Sequence, residues 1–110
     1  MKKKLKFFTF NQNNSGGSFV SNETVDHFVI IQAENTRQAN DKAEAVGIYF
    51  NGCDQDIDCS CCGDRWYATY GEGTDKAEVY GKPASKYKPS FGGGVIVHYA
   101  NGKTKRYKHV

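Results

Sequence analysis

"HFVIIQAENTRQANDKAEAVG", residues 27–47, is the stretch that decides the fold. Its first part carries an unbroken apolar run, Phe28 to Ile31. A run this short, bounded by polar residues and rich in β-branched side chains, predicts a strand over residues 27–33 that is covered on both faces. From residue 34 the period changes. Ala39, Ala43 and Val46 fall at spacings of four and three, which makes one face of a helix over residues 34–47. Asn35 or Thr36 can cap it, and Gln38 stands three after Asn35, close to a capping box. Gly47 suits the left-handed position that stops a helix. The apolar face is made of small residues, so the helix can lie close to a sheet.

Working outward, "LKFFTFNQNN" (residues 5–14) reads as a second strand, with Phe8 and Phe10 on one side and Phe7 and Thr9 on the other. "RWYATY" (65–70) has the aromatic alternation of a short strand. Residues 72–90, with Gly, Pro and Lys, read as an irregular loop. Near the end, Asn101-Gly102 separates two strand-like runs, which predicts a β-hairpin pairing 95–100 with 103–109. The order is β-β-α, a cysteine corner, then β and a hairpin. This predicts an α+β fold: a small antiparallel or mixed sheet with one helix packed on one face, in a single domain over residues 1–110.

The composition agrees with a globular chain. Fourteen per cent of the 110 residues are aromatic, enough for a core despite a mean hydropathy of −0.68. The charged fraction, 25%, is ordinary and argues against wholesale disorder. The net charge of +3 is small, but Lys2, Lys3, Lys4 and Lys6 crowd the start, and Lys103, Lys105, Arg106 and Lys108 crowd the end. Side by side, these would attract a polyanion such as nucleic acid; apart, they are a solvated rim that keeps strand edges soluble. The basic head is followed by an apolar run that breaks at Thr9, too short for a signal peptide, and no stretch approaches a membrane span. The expectation is a cytoplasmic protein with reduced thiols.

Cys53, Cys59, Cys61 and Cys62 lie within ten residues. Cys59-Ser60-Cys61-Cys62-Gly63 contains the C-x-x-C-G pattern of a zinc knuckle, in which a tight turn converges two thiolates on one ion. Cys53, Cys59 and Cys62 are the candidate ligands of a structural zinc, with a fourth from Cys61, His27, His98 or His109. Free thiols, buried as small hydrophobes, are the other reading, and a disulfide or redox role a third. The following "GDRW" also reads two ways. Asp64 and Arg65 contact a ligand on which Trp66 stacks, or Asp64 caps a turn, Arg65 pairs on the surface and Trp66 anchors the core.

The amide- and glycine-rich loop over residues 11–19 is the candidate ligand site: Asn11, Asn13, Asn14, Ser15, Gly16, Gly17 and Ser18, with Arg65 and Trp66 for phosphate and base. It matches neither the P-loop nor G-x-G-x-x-G, and a hairpin-like connection is the plainer alternative. The histidines are scattered. No serine has a nucleophile-elbow setting. Asp54, Asp56 and Asp58 alternate, so they could share a face or bind a hard cation, but they lack the glycine and terminal glutamate of an EF-hand and read as loop-solvating. No catalytic constellation emerges, so the expectation is a protein that is not an enzyme.

With "FFTFNQNNSGGSF", "VIIQAENTRQANDKAEAVGIYFNG" and "CSCCGDRWY" on the page, the chain resembles a group of small uncharacterised proteins of tailed bacteriophages. The resemblance spans roughly residues 7–67. It implies a host cytoplasm and an accessory role in infection, such as counter-defence. Two kinds of partner follow from it: a host protein, anchored by loop aromatics such as Tyr80, Tyr87 and Phe91, or a nucleotide or signalling molecule held by the 11–19 loop. Nucleic-acid binding through the basic termini is the further alternative.

Overall fold

The computed structural model describes residues 5–13, 20–58, 63–69, 71–87 and 94–108. In chain order the elements are β1 (Lys6–Asn11), β2 (Phe28–Ala33), α1 (Thr36–Ala45), β3 (Glu78–Val79), β4 (Lys82–Pro83), β5 (Gly94–His98) and β6 (Thr104–Lys108). Four strands make one mixed sheet in the order β1-β2-β5-β6. β1 runs antiparallel to β2, with Phe8 opposite Ile31. β2 runs parallel to β5, with Ile30 opposite Val97. β5 and β6 are antiparallel, Ile96 facing Arg106 across a connection that holds Asn101 and Gly102. The two most apolar strands take the two central places, where both neighbours and both faces exclude water.

The helix is shorter than its pattern by two residues at each end. Asn35 is the cap: its side chain accepts the Gln38 N–H at 2.8 Å. Gln38 answers by accepting the Glu34 N–H through Oε1 at 2.9 Å. The first bond satisfies an orphan donor of the first turn and the second ties down the residue before the cap, which is why the helix starts here. Ala39 and Ala43 are buried against the sheet.

The sheet is covered on both faces. On one, Phe8, Phe10, Val29, Ile31 and Ile96 pack with Ala39, Ala43 and Trp66. On the other, Phe28, Ile30, Val95 and Val97 pack with Val79 and Ala84. The second cover corrects the sequence reading. Residues 77–87, expected to be an irregular loop, fold into the β3–β4 pair and bury Val79 and Ala84. β2 has apolar residues at every position from 28 to 31, and that needs a cover on each side.

Asp26 ties three strands together at one end of the sheet. It has no exposed surface. Its Oδ1 accepts the N–H of His27 and of Gly94, both at 2.9 Å, just before β2 and at the start of β5. Its Oδ2 stands 3.3 Å from Nε of Arg106 on β6. Arg106 Nη2 in turn donates to the carbonyls of Asn22 and Val25.

Candidate functional site

β1 is an outer strand, and its free edge is only partly closed. In an antiparallel strand the N–H and C=O of alternate residues point to the same side. Gln12 N–H bonds to the His27 carbonyl at 2.9 Å, so even-numbered residues face β2. Odd-numbered ones face outward. Phe7 exchanges two bonds with Thr74, each 2.8 Å, and Asn13 N–H bonds to the Arg65 carbonyl at 2.8 Å. Between these two clamps, no described residue bonds to the main chain of Thr9 or Asn11 on the outer side.

The physical cause is a length mismatch. Six steps along β1 separate Phe7 from Asn13; nine separate Arg65 from Thr74. Three surplus residues cannot stay in register, so the second segment leaves the edge as an arch. Asn40 of α1 holds it away, with its side chain donating to the Thr69 carbonyl at 3.1 Å and accepting the Thr69 N–H at 2.9 Å. Thr36 also donates to the Gly71 carbonyl. Gly73 brings the arch back: φ is +72°, and a Cβ there would stand 2.8 Å from the Phe7 carbonyl oxygen. The expected strand over 65–70 therefore has no ladder in its described part, residues 65–69.

Two cavities adjoin the open edge. One, of about 450 Å³, is lined by Thr9, Asn11, Asn13, Tyr67, Ala68 and Thr69, among others. The other, of about 370 Å³, shares Thr9, Asn11 and Thr69 and adds Phe28, Glu78 and Tyr80. The edge is thus the floor of a slot. Tyr67 is 59% exposed and Tyr80 72%, one lining each cavity. Tyr80 is held in place: its hydroxyl accepts from Asn11 Nδ2 at 2.7 Å, and its ring meets Phe28 edge-on at 5.9 Å.

The expected ligand residues divide. Asn11 and Asn13 line the slot. Arg65 and Trp66 do not face it, which corrects the phosphate-and-base reading. Trp66 is 2% exposed within the helix-side core. Arg65 turns inward, donating from Nη1 to Gln12 Oε1 at 3.0 Å and from Nε to the Tyr49 hydroxyl at 3.2 Å. Tyr49 donates to Asp58 Oδ1 at 2.7 Å, and Asp58 Oδ2 accepts the Arg65 N–H at 2.8 Å. An indole gains more from burial than from a solvent face, and the guanidinium is satisfied where it lies. Asn14, Ser15, Gly16, Gly17 and Ser18 lie outside the described residues.

The sequence reading misses two further residues. Gln12 continues the inward parity of Phe8 and Phe10 and could have been found from it; its Nε2 donates to the carbonyls of Val20 and Asp26 at 2.9 and 3.0 Å. Asp58 gave no signal. Asp54 and Asp56 are exposed as expected, whereas Asp58 is buried. Burial first, then the hydrogen bond to Asp58, pushes the Tyr49 phenol above its ordinary value.

Of the proposed zinc ligands, Cys59 and Cys62 lie outside the described residues. Cys53 lies within them, its N–H bonded to Asp64 Oδ1 at 2.9 Å. Desolvation, then the Asp64 carboxylate, pushes its thiol up to about 11. Among the described residues, no group of three or more His, Cys, Asp or Glu is placed to hold a metal ion.

Lys6 and Lys105 stand on the two outer strands, three strand spacings or roughly 14 Å apart. Lys6 pairs with Asp75, and Arg106 is turned toward Asp26. Lys2, Lys3 and Lys4 lie outside the described residues. No helix among those described is long and apolar enough to cross a membrane.

Over residues 5–110 the chain matches the family model described as "Domain of unknown function (DUF7296)", and it belongs to that family. No curated protein and no solved structure matches it.

Proposed function

We propose that this member of the family is a non-enzymatic binding protein, a bacteriophage accessory factor that engages a host protein in the host cytoplasm. The observation that carries the reading is the slot at the β1 edge, where two exposed tyrosines flank main chain to which no described residue bonds. Aromatic side chains dominate interface energies, and an open edge is a surface that proteins normally protect. The bacteriophage context comes from the resemblance of the "NQNNSGGSF" and "CCGDRWY" segments.

A photo-crosslinking amino acid placed at position 67 or 80 should join the chain to one defined host protein during infection. The same label at Ile57, exposed elsewhere, should not. Equal crosslinking from all three positions, or none, would sink the reading. The nucleotide alternative has less support, because Arg65 and Trp66 are engaged inside the fold. Native mass spectrometry decides it by the presence or absence of a co-purified nucleotide. The same spectrum, taken with and without a chelator, tests a zinc clasp made by Cys53, Cys59 and Cys62.

A further inference from the structure

We infer that the slot takes an extended segment of a partner protein as an added fifth strand, bonded to the main chain of Thr9 and Asn11, and that it selects a neutral or basic segment. The inference rests on the protein-binding reading above and specifies the chemistry of that partner.

The backbone is the first argument. Thr9 and Asn11 present two N–H and two C=O groups outward at the two-residue repeat of a strand. The repeat is about 7 Å, and another extended chain has the same one. A nucleotide or sugar has no such periodic pairing of donors and acceptors. The side chains are the second argument. Successive residues of an added strand point to opposite faces, and here two cavities adjoin the edge, one lined by Tyr67 and one by Tyr80. Main chain then supplies affinity and alternate pockets supply specificity. Charge is the third. Glu78 is the one charged residue among the described lining of both cavities. An acidic segment is disfavoured there and a basic side chain is welcome.

The clamps limit the contact. Thr74 and Arg65 occupy the edge on either side, so the added segment bonds over about three residues and must leave the sheet at both ends. This also explains how the chain keeps an open edge without Lys or Pro on its outward positions. The opening is too short for sheets to stack edge to edge.

The test uses the full chain and a heptapeptide selected on it from a random display library. In the free chain, the Thr9 and Asn11 amides should exchange with solvent at least about tenfold faster than those of Phe8 and Phe10, which bond to β2. Bound peptide should slow both. N-methylation of the peptide should weaken binding by about tenfold at every second residue and little between, since one hydrogen bond is lost each time. Thr9→Pro removes the outward N–H without touching a bond to β2, and should abolish peptide binding. Should that variant fail to fold, the N-methyl series still decides.

Thr9 and Asn11 amides already protected in the dilute free chain would overturn the inference. So would an N-methyl series without alternation. Protection that grows with protein concentration alone would overturn it in favour of a second copy. A peptide that binds and protects no β1 amide would end strand addition while leaving the protein-binding reading intact. Failure to select any peptide overturns the inference too, and crosslinking from positions 67 and 80 then judges the broader reading separately.

Discussion

Asp26 is a buried carboxylate on which three strands converge. Its carboxylate, fully buried, holds two main-chain N–H groups and faces the guanidinium of the half-buried Arg106. Asp26→Ala strands those partners, and breaking a buried pair in this way costs about 3–5 kcal/mol. A fall of that size in the urea midpoint, read by far-ultraviolet circular dichroism, is the expected result. Tyr49 makes a prediction in pH. Its folded phenol ionises above the ordinary value of 10.0. Below pH 10 the phenol is neutral folded and unfolded, so its contribution is fully present. Above that, the unfolded phenol ionises first, and stability falls as pH rises through the folded value. Phenolate absorbance should show a late-ionising tyrosine that disappears in Tyr49→Phe.

Elements were legible where a period or a cap could be read. The alternation of Phe7, Phe8, Thr9 and Phe10 assigns the faces of β1 correctly, and the unbroken 28–31 run assigns β2 two covers. The Asn35 cap follows from one side chain at one spacing. Asn35→Ala should cost about 1 kcal/mol, seen as a lower melting temperature with the helix still formed. What the pattern did not reveal depends on distance in the chain. The arch over 65–74 has aromatic alternation, yet its register is set by clamps at both ends, and no local property of RWYATY encodes three surplus residues. β3 and β4 are two residues each, too short for periodicity, and they exist because the far face of β2 needs a lid. Arg65 and Trp66 stay open alternatives in the sequence for the same reason: Arg65 faces residues 12, 49 and 58, and Trp66 faces a core built from β1, β2 and α1.

At the scale of the molecule, one sheet serves two cores. The chain's single tryptophan sits in the helix-side core, while Tyr87, Tyr99 and Tyr107 belong to the other. Trp66 fluorescence therefore reports the helix-side core, and these three tyrosines the opposite face of the same layer. Val79→Ala, on the tyrosine side, should destabilise by about 2 kcal/mol. Because β2 and β5 belong to both cores, the loss should appear equally in Trp66 fluorescence, and the two transitions should coincide. Separated midpoints would show two independently melting layers.

The parallel pairing of β2 with β5 also sets a timetable for synthesis. β2 emerges from the ribosome early, with β1 beside it and α1 close behind. Its other neighbour, β5, begins at Gly94. At roughly 5–20 residues per second, several seconds pass between the two. Through that interval Phe28 and Ile30 have no finished cover, and the edge of the most apolar strand stands open. A message cut before codon 94 would therefore yield a sticky product rather than a shorter working one. The ribosome-bound chain is the form most in need of a chaperone.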